Sequence, residues 1–112
     1  MHGLKWSLLV AVGLAFSAQA ADKKIERTFN SKCGSCHGKD GKGQTEKGLK
    51  MKLTDMTTAE FQKKSDDDFK KAINDGIKVE KDGIKKEMDP FKDELKPDEV
   101  DGMVKYIREL KK

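Results

Sequence analysis

Residues 33–37, Cys33-Gly34-Ser35-Cys36-His37, constrain this chain more than any other stretch. Two cysteines separated by two residues, with a histidine directly after the second, match the attachment signature of c-type haem. Each thiol at this spacing adds to one vinyl group. The porphyrin is then held so that the next side chain, His37, lies beneath the iron and binds it through an imidazole nitrogen. Gly34 and Ser35 are small, which suits a backbone pressed against a ring edge. Three other uses of the cysteines compete with that one. A thioredoxin-like dithiol needs a βαβ context, and no convincing run of strand residues is present. A structural zinc wants four ligands, and two Cys with one His supply three. A disulfide across so short a loop would constrain little.

The first 20 residues read as a secretory leader: Lys5 gives the positive start, Trp6 to Phe16 is the apolar run, and Ala18-Gln19-Ala20 is the cleavage site. Export with cleavage after Ala20 places the mature chain, residues 21–112, in the periplasm as one domain. The alternative is a retained leader acting as an anchor. Cleavage takes one lysine from a chain of net charge +4, leaving +3. It also takes the only Trp and His2, so His37 is the sole histidine of the mature chain. Only 26 mature residues are apolar. A chain this short and charged buries a modest core, to which a covalently held macrocycle would add much of the missing apolar mass.

Along the chain, Asp22 is expected to cap a short helix ending near Lys32, with Ile25 and Phe29 on one face. Gly38 to Gly43 is turn material. Residues 44–55 are read as a loop wrapping one haem edge, with Leu49, Met51 and Leu53 alternating. Thr57 or Thr58 starts a helical turn containing Phe61, with Glu60 as capping-box partner of Thr57. Ser65 caps a helix over residues 66–75, whose acidic first turn (Asp66, Asp67, Asp68) suits the helix dipole, and Gly76 stops it. Residues 77–96 are read as a long loop carrying Gly83, Met88 and Pro90. Pro97 opens the last helix, whose stripe of Val100, Met103, Val104, Ile107 and Leu110 is the clearest in the chain.

With one histidine, bis-histidine ligation is excluded, leaving Met, a Lys amine, water or nothing as the sixth ligand. Met103 belongs to the helical stripe. Met51 and Met56 lie in the wrapping segment, and Met88 stands just before Asp89-Pro90-Phe91, where proline restricts the chain.

These features resemble a bacterial class I c-type cytochrome over nearly all of residues 22–112. The resemblance rests on Phe29 four before Cys33, C-G-S-C-H-G-K-D-G-K-G at 33–43, the Ser65-to-Gly76 helix, Met-x-Pro-Phe at 88–91 and V-D-G-M-V-K-Y-I-R-E-L at 100–110. It implies an all-α cytochrome c fold, three to four short helices and loops wrapped around one covalent haem, with the first and last helices crossing so that Phe29 meets Tyr106 or Ile107. It points to Met88 as distal ligand, with Met56 as the main rival. The family's small residue four before the aromatic is Ile25 here, which predicts a wider crossing. The family's proline after the C-H-G turns is missing between Gly38 and Lys52, leaving open which carbonyl accepts from His37.

The function expected is a periplasmic electron carrier with one haem c and His37/Met88 axial ligation, and not an enzyme. Filled axial positions keep reorganisation small, and the thioether favours reduced iron. Two alternatives stand beside it: a haem subunit tethered to or bound in a membrane oxidase or dehydrogenase, and a ligand-binding or sensor haem protein with an open sixth position. Lys32, Lys39, Lys42, Lys47, Lys50 and Lys52, with Lys85 and Lys86 near Met88, are either solvated side chains or a positive ring steering acidic redox partners. A monomer is expected that binds no nucleic acid and meets membranes only through partner complexes or a retained leader.

Overall fold

The computed structural model describes residues 12–111, with side chains described from Ala21 to Lys111. The leader's Lys5, the part of its apolar run before Val12, and His2 lie outside the described residues. The elements in chain order are α1 (Val12–Lys32), α2 (Gly34–His37), α3 (Glu46–Lys50), α4 (Ala59–Gln62), α5 (Asp66–Asp75), β1 (Ile77–Lys81), β2 (Ile84–Met88) and α6 (Pro97–Glu109). Asp22 is therefore inside α1 and not its cap: residues 13–21 contain no proline, and Ala-rich sequence carries the helix across the Ala20–Ala21 bond. Among the described residues no helix is long and apolar enough to cross a membrane.

Two long helices, α1 and α6, cross, and α5 packs against α6. At the crossing Phe29 meets Tyr106, as the resemblance implies. Phe29 is fully buried, and its ring centroid lies 4.9 Å from that of Tyr106. Ile25 adds bulk where the family has a small residue, and Gly102 on α6 takes it up. A Cβ at Gly102 would lie 3.1 Å from both Cγ1 and Cδ1 of Ile25. Val100, Met103, Val104 and Ile107 are buried as the stripe requires, and Met56, Phe69, Ile73 and Leu95 complete the core.

The local signals of α5 and α6 act where they stand. The Ser65 hydroxyl accepts from the Asp68 amide (3.1 Å) and the Asp68 carboxylate accepts from the Ser65 amide (3.3 Å), a reciprocal capping box. At α6, Pro97 occupies the first turn and Glu99 accepts from the Lys96 amide at 3.0 Å. At α4 the cap is Thr58, whose hydroxyl accepts from Phe61 N–H at 3.2 Å. Thr57 does not form the expected box with Glu60. It is buried, and its hydroxyl donates to Asp55 at 2.6 Å.

Arg108 staples the segment before α5 to α6. Its guanidinium donates to the carbonyls of Gln62 (2.7 Å) and Lys64 (2.6 Å) and to the Asp66 carboxylate (2.8 Å), and lies 4.5 Å over the Phe69 ring. Gln62 in turn donates to the carbonyls of Met56 and Ile107, both at 2.9 Å. The Arg108 bonds satisfy the Gln62 and Lys64 carbonyls left open where α4 ends.

Two segments read as irregular are ordered. Residues 44–55 contain α3, capped by Thr45, whose hydroxyl accepts from Gly48 N–H at 2.9 Å. Residues 77–96 are not a long loop. Their first half is an antiparallel hairpin in which Ile77 pairs with Met88 and Lys81 with Ile84. The two-residue turn is Asp82-Gly83, with φ of 54° and 76°. Positive φ at both positions matches the right-handed twist of the strands, which is why Asp-Gly favours such hairpins. The helical core of the cytochrome c architecture is present, with this two-stranded sheet added.

Candidate functional site

Cys33 N–H donates to the Phe29 carbonyl (2.8 Å), so α1 runs directly into the Cys33–His37 turn. His37 N–H donates to the Cys33 carbonyl (2.9 Å) and Gly38 N–H to the Gly34 carbonyl (2.8 Å), which closes α2 as one helical turn. Residues i, i+3 and i+4 share one face of a helix. The turn therefore brings Cys33, Cys36 and His37 together. Gly38, at φ 80°, ends it.

Thr45 and Gly48, which the sequence reading passed over, brace this turn from behind. The Thr45 hydroxyl donates to the Cys36 carbonyl at 2.6 Å. Gly48 lies against the same carbonyl: a Cβ there would be 2.5 Å from it and closer still to the Gly43 carbonyl oxygen. A capping threonine followed three residues later by a glycine, soon after the C-H-G turns, was the available signal.

Cys33, Cys36 and His37 line a cleft of about 390 Å³. Met51, Leu53, Ile77, Met88 and Phe91 border it as well, with Lys32, Lys47 and Lys86. A second cleft of about 230 Å³ is lined by Phe61, Phe69, Ala72 and Ile73, and shares Ile77 and Met88 with the first. Met88 is thus half-buried between two apolar hollows. Met51 also borders the first cleft, whereas Met56 and Met103 are buried in the core. Met56 packs on the glycine loop, its amide donating to the Gly41 carbonyl at 2.9 Å.

The electrostatics fit a covalently held metal macrocycle. Burial lowers the His37 pKa, so the imidazole is neutral, the form that binds a metal ion. His37 Nδ1 is buried without a hydrogen-bond partner, so no carbonyl of the 38–52 segment takes the place of the family's proline carbonyl. Burial pushes the Cys33 thiol up to about 11, against a smaller opposing pull from Lys32. Both thiols are free. Two unpaired thiols, a neutral imidazole and an adjoining cleft that Met51 and Met88 help to line are a donor set that fits haem c.

The chain belongs to the cytochrome c family, whose model matches residues 23–111. A solved structure, the KustC0563 c-type cytochrome, is similar to it at 33% identity over 78% of this chain and 96% of that one, with a TM-score of 0.64. No curated protein matches the chain. Membership of the family implies covalently bound haem c and haem-based electron transfer, and Cys33 and Cys36 stand in the C-x-x-C arrangement such attachment uses.

Proposed function

We propose that the chain is a periplasmic electron carrier, not an enzyme, with a single haem c joined to Cys33 and Cys36 and ligated by His37 and Met88. The observation that carries this reading is that Cys33, Cys36, His37 and Met88 line one cleft. The bound haem would supply a one-electron couple at iron. The chain supplies the rest. His37 is kept neutral by burial, so it presents a lone pair without first losing a proton. Met88 offers a soft thioether that favours the reduced metal. Phe61, Phe69 and Phe91 give the clefts apolar surface, which against a bound haem would limit solvent reorganisation on electron transfer.

Lys32, Lys47 and Lys86 border the same cleft. Lys32 is shared with Glu94 at 3.0 Å, while Lys47 is exposed. In this reading the lysines steer encounter with an acidic redox partner, and electron transfer to it slows as ionic strength rises.

The test is the exported protein from a host that matures c-type haem. A pyridine haemochrome spectrum of a haem with two thioether links, one haem per chain and an N-terminus at Ala21 are expected. The methionine–iron charge-transfer band should be present, survive in Met51→Ala and vanish in Met88→Ala. A band lost in Met51→Ala and kept in Met88→Ala moves the ligand. Rapid carbon monoxide binding by the reduced wild type would replace the carrier with a ligand-binding protein.

A further inference from the structure

The strands that carry Met88 bury little, although Met88 and Phe91 themselves pack against the core. Every residue of β1 is exposed, and β2 is half-buried only at alternate positions. The backbone of 88–92 is also held by main-chain contacts to the end of α5. Phe91 N–H donates to the Ile73 carbonyl at 2.8 Å and Lys92 N–H to the Asn74 carbonyl at 3.3 Å. Ile77 is the strand partner of Met88. Gly76 stands between these two attachments. Its N–H closes α5 on the Ala72 carbonyl at 2.9 Å, and its φ of 75° with ψ of −178° is a conformation essentially confined to glycine.

Gly76 also has no room for a side chain. A Cβ there would fall inside contact distance of the Met88 carbonyl oxygen, 2.9 Å from the Pro90 nitrogen and 3.1 Å from the Asp89 carbonyl carbon. All three are backbone atoms, so no rotamer change relieves the clash and the 88–90 segment itself must move. We propose that Gly76 is a positioning residue for the axial ligand: its bare backbone lets the Met88–Pro90 main chain lie against the end of α5, which sets where the Met88 sulfur sits. The inference rests on the reading of Met88 as the ligand.

The hairpin contains its own control. Gly83 has the same positive φ, 76°, and a Cβ there would meet nothing within 4 Å. Gly76→Ala, Gly83→Ala and Met88→Ala are compared in the haem-loaded full chain by the methionine–iron charge-transfer band, the reduction potential and the haemochrome assay of covalent haem. Gly76→Ala is expected to keep its covalent haem, lose or displace the band and lower the potential toward that of Met88→Ala. Gly83→Ala is expected to keep both band and potential. A Gly76→Ala protein with wild-type band and potential overturns the proposal. So does Gly76→Ala failing to accumulate where Met88→Ala accumulates, because a residue that only places the sulfur costs no more than losing it. Retention of the band in Met88→Ala overturns the ligand reading itself and the positioning role with it.

Discussion

The helix crossing and the hairpin hold the two sides of the proposed haem site by different means. At the crossing, side chains do the work: Phe29 has no exposed surface, Met103 is 1% exposed, and α1 passes without interruption into the turn bearing Cys33, Cys36 and His37. At the hairpin, Val79 is 53% exposed, and the strand carrying Met88 is located by register, two amide bonds and one glycine. The attached side of the site thus shares the stability of the core, while the methionine side rests on local pairing. Regions with few buried apolar contacts open at lower free energy than the core.

Removing the Phe29 ring should break the firm half most severely. Phe29→Ala is expected to cost about 3–5 kcal/mol in denaturant unfolding, since a fully buried aromatic leaves a cavity between α1 and α6. Arg108→Ala comes next, at about 1–3 kcal/mol by the same measurement, because it leaves the Gln62 and Lys64 carbonyls without their donor. A smaller effect follows pH. The amide of Lys96, and more weakly Lys24 at 3.5 Å, hold the Glu99 carboxyl below its ordinary 4.5. A depressed carboxylate stabilises the fold above its unfolded pKa, so this contribution is complete at neutral pH and fades as pH falls below about 4.5. The difference in melting temperature between wild type and Glu99→Gln should therefore shrink in acid. The smallest effect belongs to the hairpin face: Val79→Ala should change global stability by less than ~0.5 kcal/mol. A large loss there would mean the two regions are not distinct.

What the sequence made legible was whatever a few adjacent residues determine. Ser65 with Asp68, Pro97 with Glu99, and the cysteine–histidine turn are short-range devices, and each operates where it is written. The Phe29–Tyr106 contact was legible only through resemblance, because a pairing across 77 positions leaves no local trace. The hairpin was readable and missed. Ile77-Lys78-Val79 alternates, and Asp82-Gly83 is a strong turn signal, but the lysines on both strands disguise an exposed ribbon as solvated loop. α3 was missed because Leu49, Met51 and Leu53 alternate with a strand's period, and because Gly48, a poor helix former, is needed there for contact with the Cys36 carbonyl. The start of α1 was misplaced because Asp22 fits a helix interior as readily as a cap once the preceding residues are helical.

The seating of Ile25 on Gly102 reaches beyond this chain. A knob and its socket can trade sides of a crossing without altering the distance between the rods, so bulk and absence of bulk are properties of the pair. Replacing Gly102 by leucine should be damaging on its own and partly rescued when Ile25 becomes glycine. Relatives of this chain should carry the gap on one rod or the other, seldom on both.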